Sequence, residues 1–185
     1  NIENITIPSE EDRIQMNPMD YEEFRWALGD TVTVPLLKTF WEKKIPLGAA
    51  HRDAMRNLRL YLLVGGMPQA VNAYLDTNNL RMVDEVKRKI ILLYREDFAK
   101  IDKTDKVSNL FMSVPAALSR NASRYVPSSI IGNVADDKMS ELLMNLEDSK
   151  TVNIAHHADD PNIGIPVSAN YDKFKIFLAD TGLFV

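Results

Sequence analysis

The chain has 185 residues, enough for one domain, or two small ones, with a sizeable core. Its 45% apolar and 26% charged content is that of a globular protein. A net charge of −4 argues against a strong non-specific grip on nucleic acid or anionic membrane, because phosphate binding needs clustered excess Lys and Arg.

Residues 1–19 are irregular apart from a short candidate strand at Arg13–Met16. Asp20 offers an N-cap to a helix at Tyr21–Leu28, with Glu22 and Glu23 in its first turn and Gly29 as its stop. A second short helix is expected at Pro35–Glu42 and a turn at Pro46-Leu47-Gly48. Ala50–Val64 reads as a helix with Ala54, Met55, Leu58, Tyr61 and Leu62 on one face. Arg52, Arg56 and Arg59 lie opposite, as a solvated face or as a phosphate contact.

Gly65-Gly66 ends that helix, and Pro68 opens the next, Pro68–Leu75. Two glycines and a proline there make a corner, or a place where backbone approaches a ligand. A long helix follows at Leu80–Lys100, with Val83, Val86, Ile90, Leu93, Tyr94 and Phe98 expected inward. Glu85, Lys87, Arg88 and Lys89 are expected on its outer face.

The polar stretch at 100–109 reads as a hinge and sets the boundary after residue 103. Helices are then expected at about 108–119, Ser128–Val134 and Asp136–Glu147. Val152 and Ile154, and later Phe174, Ile176 and Leu178, alternate with polar neighbours, which predicts two strands joined by a loop at Asp159–Asp172. The fold class is therefore mainly α with a small β ribbon. Three helices before a two-stranded ribbon is the order of a winged helix-turn-helix.

Catalytic motifs are scarce. No glycine is followed by lysine, so the chain holds no Walker loop, and Gly-x-Gly-x-x-Gly is missing too. Asp180-Thr181-Gly182 imitates an aspartic-protease triplet, but that chemistry needs two carboxylates sharing a proton, so it reads as a strand end with a turn. His156 and His157 are adjacent on a strand and point to opposite faces, so they form no metal pair. The expected third helix of the second half carries Asp136, Asp137, Glu141, Glu147 and Asp148 against two lysines, the wrong sign for a major-groove reader. If DNA is touched, Arg120 and Arg124 are the candidates.

The lack of cysteine rules out disulfides and thiolate zinc sites and fits a reducing, cytoplasmic setting. No apolar run nears the roughly 20 residues of a membrane span, nor does a signal peptide show, so no membrane partner is expected. The chain opens at Asn1 and stops on Leu183-Phe184-Val185, which reads as a piece cut from a longer protein.

Residues 16–30 (MNPMDYEEFRWALGD), 46–75 (PLGAAHRDAMRNLRLYLLVGGMPQAVNAYL) and 91–100 (ILLYREDFAK) resemble prokaryotic predicted ATPases of AAA type. So do residues 139–157 and 174–184, with Gly-Gly-Met-Pro and Asp-Thr-Gly-Leu the most specific pieces. That resemblance implies a P-loop core upstream and a nuclease-like domain downstream. Residues 1–30 would end the ATPase core, 31–103 would form a helical lid-like domain, and 104–185 a winged helix. ATP and magnesium are implied as cofactors of the full-length protein, with none expected on this segment, which is not catalytic alone. Gly-Gly-Met-Pro is similar to the glycine-proline motif of signal-transducing P-loop ATPases, so Gly66, Met67 and Pro68 would form one wall of the ATP site, with Pro68 against adenine. The implied partner is the remainder of the same chain. The alternative is a winged-helix module that binds DNA or protein independently of ATP.

Overall fold

The computed structural model describes residues 14–120, 122–160, 162 and 168–184. Within them, eight α-helices precede a two-stranded antiparallel ribbon, the mainly α class expected. Residues 14–16 carry no strand, and Arg13 lies outside the described residues.

The first helix, α1 (Tyr21–Ala27), starts where expected. The Asp20 carboxylate accepts the Glu23 N–H, and Glu23 returns the favour to the Asp20 N–H, both at 2.8 Å. Helix α2 (Thr33–Glu42) begins two residues before Pro35, because the Asp30 carboxylate accepts the N–H groups of Val32 and Thr33. Helices α3 (His51–Val64), α4 (Pro68–Thr77) and α5 (Leu80–Ile101) then pack on α1. Their shared core is Phe24, Val64, Ala70, Val71 and Val83.

The long helix α5 serves two cores. Val83 enters the first, while Ile90 and Phe98 enter a second built from α6 (Lys106–Ser119), α8 (Asp136–Asp148) and the ribbon. Leu110, Val114, Leu142, Leu146 and Ile176 are closed to solvent there. Short α7 (Ser128–Ile131) stops earlier than expected, at Gly132 with φ 74°.

Two expected faces of these helices need correction. Leu93 is 53% exposed and Leu62 44%, so the apolar stripes of α5 and α3 are narrower than their composition suggests. Lys87, expected outside, is buried. Its ammonium donates to the Leu63 carbonyl at 2.9 Å and pairs with Asp84 at 2.9 Å. A cation at the C-terminus of α3 satisfies a carbonyl that the helix leaves without a partner.

In the ribbon, β1 (Val152–Ala158) and β2 (Ala169–Leu178) pair in the register Val152↔Leu178 and Ile154↔Ile176. An irregularity between His156 and His157 then shifts the pairing to His157↔Asn170. Beyond that break β2 runs back to Ala169, into what reads as loop by sequence because a bulge interrupts the two-residue alternation. Residue Tyr125, between α6 and α7, donates its N–H to the Phe174 carbonyl at 2.8 Å, laying that connection along the free edge of β2.

The stretch expected as a polar hinge is a tight cap. The buried Asp102 carboxylate accepts the N–H groups of Thr104, Lys106 and Val107 and the Thr104 hydroxyl, at 2.6 to 3.2 Å. Burial pushes its pKa up, but the Thr104 hydroxyl and the three amides more than offset this, so it lies below the usual value. Bonds from the Thr33 and Arg25 side chains, and then the backbone, hold Asp30 well below the carboxylate range. A depressed carboxylate contributes stability that is complete above its unfolded pKa of about 4 and is lost as pH falls through the folded value. Urea unfolding at stepped pH should therefore show stability falling steeply below about pH 4, and Asp102→Asn should flatten that slope. Equal acid slopes for the two proteins would refute the role of Asp102.

Candidate functional site

The Gly-Gly-Met-Pro corner and the Asp-Thr-Gly-Leu turn, more than a hundred positions apart, meet in the structure. Gly65 ends α3 at φ 86°, the C-cap conformation that glycine adopts without penalty. Asp180 follows β2 and is 3% exposed. One of its carboxylate oxygens accepts the Gly66 N–H at 3.0 Å and the Gly182 N–H at 2.9 Å; the other accepts the Met67 N–H at 3.0 Å. A buried carboxylate is costly unless its lone pairs are used, and three backbone amides use them here.

The glycines permit this approach. A Cβ on Gly65 would stand 2.7 Å from both Asp180 carboxylate oxygens and from the Gly182 Cα. One on Gly182 would overlap the Gly65 Cα. On the far side of the corner, a Cβ on Gly66 would overlap the carbonyl oxygen of Met19. The Met19 N–H donates to the Gly66 carbonyl at 2.8 Å, and the Tyr61 hydroxyl donates to the Met19 carbonyl at 3.0 Å. Three chain segments thus cross backbone against backbone. Burial, and then the Asp180 charge, raise the pKa values of the Tyr61 and Tyr94 phenols, and the Tyr94 hydroxyl lies 3.8 Å from the Met67 sulfur.

This arrangement locates each residue named from sequence. Gly66 is buried and its amide and carbonyl are both bonded, Met67 is half-buried, and Pro68, at the first turn of α4, is exposed. The positive φ belongs to Gly65; Gly66 is glycine for want of space. Asp180, read as a strand end, is the centre of the assembly. Asp-x-Gly at a strand exit is a local signal for the Gly182 bond, but no local signal points to Gly66 and Met67.

Arg120 and Arg124 are exposed and line a shared recess between α6 and α7. Arg124 also borders a groove of about 560 Å³ along the ribbon, with His156, His157, Lys173, Lys175 and Phe177. The two histidines keep separate company: the His156 ring lies 4.9 Å from that of Tyr171, and His157 Nε2 lies 3.4 Å from Asp159. Arg52, Arg56 and Arg59 are exposed, Arg56 pairing with Asp53 at 3.1 Å. A further cavity beside α2, also about 560 Å³, is walled mainly by Leu37, Phe40, Trp41, Ile45 and Leu47 and presents little polar chemistry. Among the described residues no group of three His, Asp or Glu converges as a metal site. No helix among them is long and apolar enough to cross a membrane.

A family model described as a domain of unknown function, DUF8612, matches residues 55–185. No curated protein and no solved structure matches the chain.

Proposed function

We propose that this chain, which belongs to the DUF8612 family, is the helical lid and winged-helix segment of an AAA-type ATP-binding protein, not catalytic by itself. It passes nucleotide state from the rest of its own chain to a partner or C-terminal domain, in the cytoplasm. The observation that carries the reading is the Asp180 junction: the corner that resembles an adenine wall is bonded directly to the end of β2. Movement at Met67 and Pro68 is therefore delivered to the ribbon, and through α5 to the second core. The Tyr125–Phe174 bond, which adds the connection between α6 and α7 to the ribbon edge, supports the winged-helix part.

The residues present fit one portion of ATP. Pro68 offers an exposed ring, and Met67 a half-buried apolar side chain, for stacking on a purine. The corner amides are committed to Asp180, so none is left for phosphate. The triphosphate and magnesium need a phosphate cradle from outside this segment, and ATP bound there would supply the energy of the conformational cycle. Pro68→Ala in the longer protein should weaken ATP binding about fivefold, the equivalent of about 1 kcal/mol of apolar contact. Melting should scarcely change, because alanine is tolerated at a helix start. Calorimetric titration measures the first and thermal melts the second. Equal ATP affinities would remove the adenine wall and leave a structural corner.

A further inference from the structure

The outer face of the ribbon carries chemistry that the Asp180 junction does not use. Strand alternation puts Lys173, Lys175 and Phe177 on the side of β2 opposite the buried Phe174, Ile176 and Leu178. Arg124 precedes Tyr125, whose N–H pairs with Phe174, so the arginine stands beside this same strand. The groove of about 560 Å³ between them has an apolar lining from Ala155 and Phe177 and no carboxylate among its lining residues. Phe177 is 40% exposed. Among the described residues, Arg124, Lys173 and Lys175 form no ion pair. In a chain of net charge −4 this is a local concentration of cations around an accessible aromatic ring.

We infer that this ribbon groove binds single-stranded nucleic acid, with Arg124, Lys173 and Lys175 on the phosphates and Phe177 stacking on a base. Cationic rims that track a phosphate backbone, combined with aromatic faces that accept any base, are how single strands are held without sequence preference. A duplex is disfavoured on two counts. Its bases are already stacked and cannot reach Phe177, and α8, the helix that would enter a major groove, presents Asp136, Asp137, Glu141, Glu147 and Asp148. This inference rests on the charge and shape of the ribbon and does not depend on the ATPase reading.

The test is fluorescence anisotropy of the 185-residue chain with a labelled oligothymidylate of about 20 nucleotides and with a labelled duplex of similar length. The single strand should bind, more weakly as salt rises, with a log–log slope set by about 0.7 per neutralised phosphate. Lys175→Glu should weaken it by about tenfold or more and lower that slope. Phe177→Ala should weaken it at least about fivefold with the slope unchanged, because stacking releases no counterions. Phe177→Tyr, which keeps the ring, should bind like the parent and guards against a folding defect. No salt-dependent binding, duplex binding as tight as single-strand binding, or a Lys175→Glu protein indistinguishable from the parent would each overturn the inference.

Discussion

Replacing Asp180 by alanine should lower the melting temperature by about 8–16 °C. The substitution strips the partner from the amides of Gly66, Met67 and Gly182 together. Each orphaned buried amide costs about 1–3 kcal/mol, and Met67 is open enough for water to soften its share, which leaves a loss of about 4 kcal/mol. For a chain of this size each kcal/mol moves the melt by about 2–4 °C. Asp180→Asn keeps the shape and one acceptor but turns an N–H₂ towards an amide donor, so it should recover only part of the loss. Hydrogen exchange gives the discriminating readout: the Gly66 and Met67 amides should lose protection in Asp180→Ala well before the centre of α5 does. A melt within about 2 °C of the parent, or unchanged protection at those amides, would show that the carboxylate is not what joins the two segments.

Gly66→Ala should be comparably severe, for a different reason. Its new Cβ would occupy the space of the Met19 carbonyl oxygen, a backbone atom that already accepts the Tyr61 hydroxyl and so cannot swing aside cheaply. Overpacking against backbone costs about 3 kcal/mol, or a melt lower by about 6–12 °C. Gly182→Ala should behave alike, since its Cβ would overlap the Gly65 Cα. Gly29→Ala makes the useful contrast. Gly29 also sits at positive φ, 79°, but nothing lies within 4 Å of a Cβ there, so only the backbone penalty of about 1–2 kcal/mol remains. Differential scanning calorimetry of the three variants orders them. Gly66→Ala no worse than Gly29→Ala would mean that the crossing of Met19, the corner and the Asp180 turn is loose enough to adjust.

Three local signals in this chain report the local structure that forms. Asp20 with Glu23 announces the start of α1, Gly65-Gly66 and Pro68 mark the joint between α3 and α4, and the alternation of Phe174, Ile176 and Leu178 marks a strand that is buried on one side. Each of these depends on neighbours within a turn of helix or a few strand positions, and so each is written in consecutive residues. Lys87 and Leu93 went the other way. On a helix serving two cores, which side faces inward depends on where α3 and α6 dock, and a lysine meeting the end of α3 gains a carbonyl that its own helix says nothing about.

The corner shows the division most clearly. By itself the sequence determined that the chain bends at residues 65–68, because glycine and proline restrict the backbone locally. Only the tertiary structure decided what the bend is for. Asp180 is 114 positions from Gly66, and a carboxylate's choice of amide donors is made when the cores that hold α3 and β2 are assembled on the shared helix α5 by apolar burial. The same holds for the ribbon groove. Arg124, Lys173 and Lys175 are ordinary surface cations when read along the chain, and they become one charged face because Tyr125 bonds to the edge of β2.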